Sequence, residues 1–169
     1  MEVELKASNF SLNFRITKNY IITYDLNLLK LFDLNGYLLD YIKFSEIIIN
    51  IEIINNNYII VQLCFSIIIM KINYGLFIFL NTKKFWEIIN NIIFIKSKNL
   101  LVLSLENNIT IFDINNINDM PIQVIYNKSD SCLNLNENIF ISYNYEYISF
   151  YKNVIGTKIY KLLSKLKLH

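Results

Sequence analysis

Residues capable of acid–base or metal chemistry are scarce in this chain and lack the spacing that such chemistry needs. The single histidine, His169, is the last residue of the sequence, so we expect no imidazole inside the fold. Without one, Ser-His-Asp and Cys-His catalytic arrangements and the HExxH zinc motif cannot form. The three glycines form no GxGxxG or phosphate-binding loop, and no pair among the 14 acidic residues has a distinctive context. We therefore expect no enzymatic activity, no cofactor and no metal site.

Tyrosines are concentrated near the C-terminus, where Tyr143, Tyr145 and Tyr147 alternate along one segment. Exposed tyrosines anchor protein interfaces or provide stacking platforms for bases. The simpler interpretation is that alternating tyrosines pack on a pleated sheet. We treat these three tyrosines as candidate interaction residues.

The segment KIYKLLSKLKLH, residues 158–169, combines lysines with leucines. As a strand it would complete the last structural repeat. Beyond Leu163 it could instead form a short amphipathic helix, a basic tail that contacts RNA or an acidic surface, or a solvated chain end. The candidate interaction residues in this segment are Lys161, Lys165 and Lys167.

Composition indicates a packed fold of one domain. Hydrophobic residues make up 54% of the chain and charged residues 18%, too apolar for disorder. The net charge of +2 argues against a protein that neutralises many phosphates. The chain contains 33 Ile and 25 Asn, which we interpret as the mutational bias of an A/T-rich, reduced genome. A single Asn is therefore weak evidence for a ligand.

Other features point to an intracellular protein, cytoplasmic or nuclear. Cys64 and Cys132 show no CxxC spacing, which favours reduced thiols. Residues 58–80 are long and apolar enough for a membrane span, but Gln62, Asn73, Gly75 and the charged Lys71 interrupt them, and their Ile, Tyr and Phe favour strands. For the single Trp86 we expect core packing.

Four 16-residue segments of the chain can be aligned with one another without a gap. Each opens with Asn and a large apolar residue, and the segments start 38, 42 and 39 residues apart, at Asn19, Asn57, Asn99 and Asn138. One apolar column lies ten residues into each copy, at Leu29, Ile67, Ile109 and Ile148. A second lies two residues later, at Leu31, Ile69, Ile111 and Phe150. Residues two apart share a strand face, so both columns are predicted to be buried.

Each repeat is predicted to contain four short antiparallel strands. The central pair is joined by a polar turn, such as Glu106-Asn107-Asn108, and apolar stretches before and after it supply the other two strands. Four strands in about 40 residues is the dimension of a β-propeller blade. The predicted repeats form a single domain and cover approximately residues 8–43, 44–81, 86–127 and 130–163, with 164–169 as a basic tail.

The third strand of each repeat resembles that of the WD40 family, which typically ends in Trp-Asp after a short turn. Repeats one and three are the most similar, in NLLKLFDLNG and NNITIFDINN. The repeat-defining structural residues at this place are Phe32-Asp33, Met70, Phe112-Asp113 and Tyr151. The Gly-His pair common near the start of a WD40 blade is absent, so the family's His-centred hydrogen-bond network is not expected.

The resemblance implies an all-β, WD40-like propeller of four repeats, closed or partial and open. Four blades are few for a ring, and an open one would leave edge strands that attract another chain. Residues 2–7 could supply a closing strand, or a partner could fill the gap. We expect the chain to be aggregation-prone when expressed alone.

The resemblance also implies a function by analogy. The leading hypothesis is a non-catalytic scaffold that binds other protein subunits in a larger intracellular hetero-complex. An RNA-contacting component of a ribonucleoprotein is the alternative, and membrane association through residues 58–80 is a weaker one.

Overall fold

The computed structural model describes residues 13–168, and β-strands make up 64% of them. The strands form four antiparallel four-stranded sheets, and each sheet takes its strands in chain order. Sheets 1 and 2 consist of β1 (Asn13–Ile16), β2 (Tyr20–Asp25), β3 (Leu28–Asp33), β4 (Leu38–Lys43), β5 (Ile48–Asn55), β6 (Tyr58–Leu63), β7 (Ser66–Asn73) and β8 (Leu76–Lys84).

Sheets 3 and 4 repeat the same arrangement in the second half of the chain. They consist of β9 (Ile89–Ile95), β10 (Leu100–Leu105), β11 (Ile109–Asp113), β12 (Gln123–Ile125), β13 (Ser131–Asn136), β14 (Ile139–Tyr143), β15 (Tyr147–Asn153) and β16 (Tyr160–Lys167). The only helical segments among residues 13–168 are two 3-10 turns, at Lys96–Lys98 and Ile114–Asn116. The predicted all-β fold of four four-stranded repeats is confirmed.

Tight hairpins set the strand register. Between β7 and β8, Tyr74 and Gly75 both have positive φ angles, 50° and 77°, as a two-residue type I′ turn requires. Between β2 and β3, Leu26 has φ 46° in the turn Asp25-Leu26-Asn27. The twist of such turns matches that of the strands, so short connections keep consecutive strands adjacent.

The chain divides into two compact units, Met1–Thr82 and Lys83–His169. In the first unit, sheets 1 and 2 pack face to face around one apolar core. Sheet 1 contributes the column residues Leu29 and Leu31, both fully buried. Sheet 2 contributes residues from the alternate positions of β7, namely Ile68, Met70 and Ile72. One face of a sheet therefore packs against the opposite face of the next sheet.

The second unit packs in the same way. Sheet 3 contributes the column residues Ile109 and Ile111, both fully buried. Sheet 4 contributes an aromatic group on its alternate positions, in which the Phe140 ring stacks on Tyr151 at 4.9 Å and lies 5.1 Å from Tyr160. Stacked and tilted ring pairs at these distances stabilise the core beyond the contribution of their buried apolar area.

Polar contacts join the two sheets of the first unit at both margins of their packed faces. On β1, Arg15 donates its Nε to the Ile51 carbonyl at 2.9 Å and its Nη2 to Asn50 Oδ1 at 2.7 Å. On β4, Asp40 Oδ2 accepts from the backbone N–H of Phe77 at 2.8 Å. Arg15 and Asp40 lie on one cross-strand row with Ile22 and Leu31 between them. This row of sheet 1 is thus polar at its ends and apolar in its centre.

The two sheets of the second unit are also joined by polar contacts. Asn91 on β9 donates to Ser131 Oγ at 2.6 Å and to the Cys132 carbonyl at 2.8 Å. Gln123 on β12 donates to the Tyr160 carbonyl at 2.7 Å and accepts from the Tyr160 N–H at 2.8 Å. Gln123 has the row position of Asp40, whereas Asn91 lies in the row next to the one that corresponds to Arg15. The contact on the last strand therefore recurs at the same register in both units.

The predicted burial of the two columns is right in three repeats and wrong in the fourth. Leu29, Leu31, Ile67, Ile69, Ile109 and Ile111 are buried, whereas Ile148 and Phe150 are only half-buried. In both units the column face of one sheet is covered by the next sheet. Sheet 4 is the last of the sheets formed by residues 13–168, so no following sheet covers its column face.

Other predictions need correction at particular positions. Trp86 is fully exposed, not packed in the core, because it lies in the connection between β8 and β9. Residues 164–167 belong to β16 and pair with β15, so they are neither a helix nor a separate tail. The prediction of one domain stays a prediction, and residues 2–7 lie outside the described residues, as does His169.

The apolar segment 58–80 forms β6, β7 and the start of β8. Its Ile, Val and Met side chains fill both faces of sheet 2. No helix within residues 13–168 has the length and apolar character needed to cross a membrane.

The buried column makes a first prediction. Ile111→Ala should lower the free energy of unfolding by about 2–4 kcal/mol, because it leaves a cavity between sheets 3 and 4. Ile155→Ala is the matched control, since Ile155 is 94% exposed in a turn and should change stability by less than about 0.5 kcal/mol. Urea denaturation of both variants measures the difference. Equal effects would show that the column does not face the core.

Candidate interaction surfaces

The structure brings most of the predicted interaction residues to one end of sheet 4. Tyr145 is 76% exposed at the tip of the turn between β14 and β15, Tyr143 is 38% exposed and Tyr147 is half-buried. Tyr147 pairs across the strands with Lys167, and Ser149 pairs with Lys165. Tyr147, Lys165 and Lys167 share one face of this end of sheet 4, whereas Tyr143 lies on the other face in a row with Ile148. We call these four residues and Tyr145 in the turn the tyrosine–lysine cluster.

Lys161 does not belong to this cluster. It pairs with Lys152 near the other end of β16. Lys161 is four residues from Lys165 along a strand, a separation of roughly 13 Å. Lys152 and Lys161 are solvated charges at the margin of sheet 4.

The tyrosine–lysine cluster is internally organised. Lys165 Nζ lies 3.9 Å from the centroid of the Tyr147 ring, a close cation–π contact. The turn is fixed by Asn144, whose Oδ1 accepts from the N–H groups of Glu146 and Tyr147 at 2.9 and 2.8 Å. The charge of neighbouring Glu146 raises the pKa of Tyr145. Tyr145 is thus presented as a neutral phenol on an ordered turn.

Asp33 and Asp113, which end the third strands of repeats one and three, order the turns that follow them. Asp33 Oδ1 accepts from the N–H groups of Asn35 and Tyr37 at 2.9 and 2.8 Å. Asp113 Oδ1 accepts from the N–H of Asn115 at 3.0 Å, and its Oδ2 forms an ion pair with Lys158. These aspartates are structural, and both are half-buried.

The bulky residues at the same place pack differently in the first repeat than in the others. Met70, Phe112 and Tyr151 are buried, whereas Phe32 is half-buried. Phe32 lies on the face of sheet 1 that is opposite to sheet 2. It therefore belongs to a second exposed surface.

A hydrogen-bond group centred on Asn127 lies at the start of sheet 4. Asn127 precedes β13 and donates from Nδ2 to Tyr151 Oη at 2.7 Å, with Ser142 and Ser149 Oγ at 3.4 and 3.5 Å. Sequence reasoning missed this residue, because in a chain with 25 Asn a single amide carries no signal.

Glutamates hold the equivalent place in sheets 2 and 3. Glu87 precedes β9 and accepts from the Asn107 N–H at 3.0 Å and from Asn108 Nδ2 at 3.2 Å, in the turn between β10 and β11. Glu46 precedes β5 and accepts from the Phe65 N–H at 3.4 Å. Each connection is tied to a hairpin of its own sheet without a histidine.

One face of sheet 4 is apolar and exposed. Directly opposed residues on neighbouring strands share a face. The face is made of two such rows, Leu133–Ile141–Phe150–Ser164 and Ser131–Tyr143–Ile148–Leu166. Leu133 and Leu166 are 48% and 56% exposed. We call this the sheet 4 face.

Sheet 1 also has an apolar exposed face, on the side opposite to its core. Its two rows are Ile16–Ile21–Phe32–Leu38 and Phe14–Thr23–Lys30–Tyr41. Ile16 and Leu38 are 59% and 52% exposed. We call this the sheet 1 face.

A polar group lies at the first strands of sheets 1 and 2. Asn50 accepts from Arg15, and its Nδ2 donates to Glu52 Oε1 at 3.3 Å. Desolvation of Glu52 raises its pKa above 4.5, although the Asn50 hydrogen bond and the Arg15 charge oppose the shift. In the second unit, burial raises the pKa of the Cys132 thiol to about 12, so this thiol is protonated at neutral pH.

Comparison with known proteins identifies the fold alone. The C-terminal WD40 domain of Sif2 superposes with a TM-score of 0.71 at 13% identity, covering 92% of this chain and 45% of that one. The fold is that of a WD40-like β-propeller. A putative 6-phosphogluconolactonase from Bacteroides fragilis NCTC 9343 (TM-score 0.74, 13% identity, coverage 93% and 55%) and Chaetomium thermophilum Raptor (0.73, 9%, 92% and 16%) are also similar.

The extent of these matches is itself a finding. The chain spans about half the length of the WD40 domain and of the putative lactonase, and less of Raptor. Neither a protein-family model nor a curated protein matches its sequence.

The position of Glu52 predicts a pH dependence of stability. The folded state holds the Glu52 proton more tightly than the unfolded chain does. Proton binding at Glu52 therefore adds to the free energy of unfolding below about pH 4.5, and this stabilisation is lost as the pH rises through the folded pKa. Glu52→Gln removes this loss and can retain a contact with Asn50. The free energy of unfolding of the variant relative to wild type should therefore be larger at pH 7 than at pH 4. A constant difference in chemical denaturation would contradict the shift.

Proposed function

We propose that this chain is a non-catalytic protein-interaction scaffold, an intracellular subunit of a larger complex. The observation that carries the proposal is the exposed Tyr145 on an ordered turn, beside Tyr143, Tyr147 and the lysines of β16. Aromatic residues are enriched at protein interfaces, where tyrosine supplies contact area at a low entropic cost. A neutral phenol on a fixed turn suits that role.

The fold supports the same role by analogy. In a propeller the sheets hold turns rigidly at both ends, and turns placed on a rigid scaffold are where binding residues concentrate. Raptor and the Sif2 domain have this fold, but so does a protein named as a putative lactonase. The proposal that the chain lacks enzymatic activity therefore stands on the residue chemistry.

A substitution in the cluster tests the proposal. Tyr145→Ser should reduce the recovery of partner subunits about tenfold or more, since truncated aromatic anchors dominate binding losses. Ile155→Ser is the matched control, because Ile155 is an exposed turn residue of the same sheet. Tagged wild-type and variant chains are purified from the native source, and co-purifying proteins are quantified relative to the chain. Equal recovery for all three would exclude Tyr145 as an anchor.

RNA contact is the second candidate, favoured by the lysines of β16. Against it, Lys165 already covers the Tyr147 ring at 3.9 Å, so a base would have to displace the ammonium to stack there. We expect no salt-dependent RNA binding by the isolated chain. If RNA were the ligand, affinity would fall steeply between 50 and 200 mM salt, and Lys165→Gln would reduce the slope by about 1.

A further inference from the structure

The two exposed apolar faces are equivalent to the two kinds of face that pack inside each unit. Sheets 1 and 3 use their column faces to cover the next sheet. The sheet 4 face contains the column residues Ile148 and Phe150 and is a face of this kind. Its row Ser131–Tyr143–Ile148–Leu166 matches the sheet 1 row Asn13–Tyr24–Leu29–Ile42 in chemistry and register, and the central residues Tyr24 and Leu29 of that row are buried.

The sheet 1 face is of the complementary kind. In the sequence alignment of repeats one and two, which start 38 residues apart, Ile21 corresponds to Ile59 and Phe32 corresponds to Met70. Ile59 and Met70 are residues of sheet 2 that pack against sheet 1. Lys30 is the one charged residue of the two sheet 1 rows, and its apolar stem can lie along the interface with the ammonium at the rim.

We propose that the sheet 4 face of one copy packs against the sheet 1 face of a second copy, so that two chains form a head-to-tail dimer. Each interface would repeat the packing seen within both units, and each dimer would contain two of them. This dimer adds a self-association surface to the proposed scaffold function. Of the tyrosine–lysine cluster, Tyr143 lies in the sheet 4 face, whereas Tyr145 lies in the turn outside its two rows.

The size of the faces fits a stable dimer. Four strands about 4.8 Å apart and about six residues long give a face of roughly 20 by 20 Å. Two faces per copy bring together about 800 Å² of flat area from each chain, the size of a standard interface. Two copies would also supply eight four-stranded sheets, which agrees with the chain matching 45% of the WD40 domain and 55% of the putative lactonase.

Sedimentation equilibrium of the full chain at micromolar concentration tests the proposal. Wild type should sediment at twice the 20.1 kDa of one chain. Leu133→Lys on the sheet 4 face and Leu38→Lys on the sheet 1 face should each weaken self-association on the order of 100-fold. Ile155→Lys, an exposed position outside both faces, should remain dimeric.

Mixing the two variants separates head-to-tail packing from other arrangements. Each mixed pair has one interface without a lysine, so the dimer mass should return in the mixture and in neither variant alone. The mixture remains informative if one variant aggregates by itself, because its intact face would be buried against the other variant and the dimer mass could still be measured. No recovery, or a dimer that survives Leu38→Lys, would overturn the proposal.

A monomeric wild-type chain at these concentrations would also overturn it, and would assign the two faces to a different protein. That result leaves the scaffold function intact, because the Tyr145→Ser comparison measures partner recovery through other residues. If Tyr145→Ser had no effect on partner recovery and wild type were a dimer, the interaction site at Tyr145 would be excluded and the dimer proposal would stand. The two proposals can therefore fail independently.

Discussion

Every sheet in this protein is apolar on both faces, and each face must be covered by something. Within each unit the column face of one sheet covers the alternate face of the next, as Leu29 and Leu31 do against Ile68 and Met70. The repeat can propagate because each sheet carries both kinds of face. The same constraint leaves one column face and one alternate face exposed, on sheets 4 and 1. Apolar sheet faces of this size are unusual on a protein that works alone.

The polar contacts between sheets complement this apolar packing. Arg15 and Asp40 lie at the two ends of one row of sheet 1, with the buried Ile22 and Leu31 between them. On sheet 3, Gln123 has the row position of Asp40, and Asn91 lies at the end of the neighbouring row. Hydrogen bonds require precise geometry, whereas apolar contacts tolerate sliding. The contacts at the margins therefore fix the relative position of two sheets that the core holds together.

Sequence reasoning succeeded where the signal was repeated and local. The Asn-led register and its alternation gave four strands per repeat because strand faces follow directly from a two-residue period. It failed for Ile148 and Phe150, since a column shows which face is apolar and not whether another sheet covers it. The Asn127 network and the Gln123–Tyr160 pair were invisible, because they join residues 24 and 37 positions apart through common side chains. The tyrosine–lysine cluster was found only in part, since the position of Lys161 depends on the pairing of β15 with β16.

Three of the inter-sheet contacts reach the backbone of the neighbouring sheet, a property with evolutionary consequences. Asp40 binds the backbone N–H of Phe77, Arg15 binds the backbone carbonyl of Ile51, and Gln123 binds both backbone groups of Tyr160. On the receiving sheet, almost any residue supplies the same peptide group. A mutation there can change the side chain without breaking the bond, so at these three contacts only the sheet that supplies the side chain must preserve its residue. Such one-sided dependence halves the number of positions that these contacts constrain, so the contacts can withstand sequence drift.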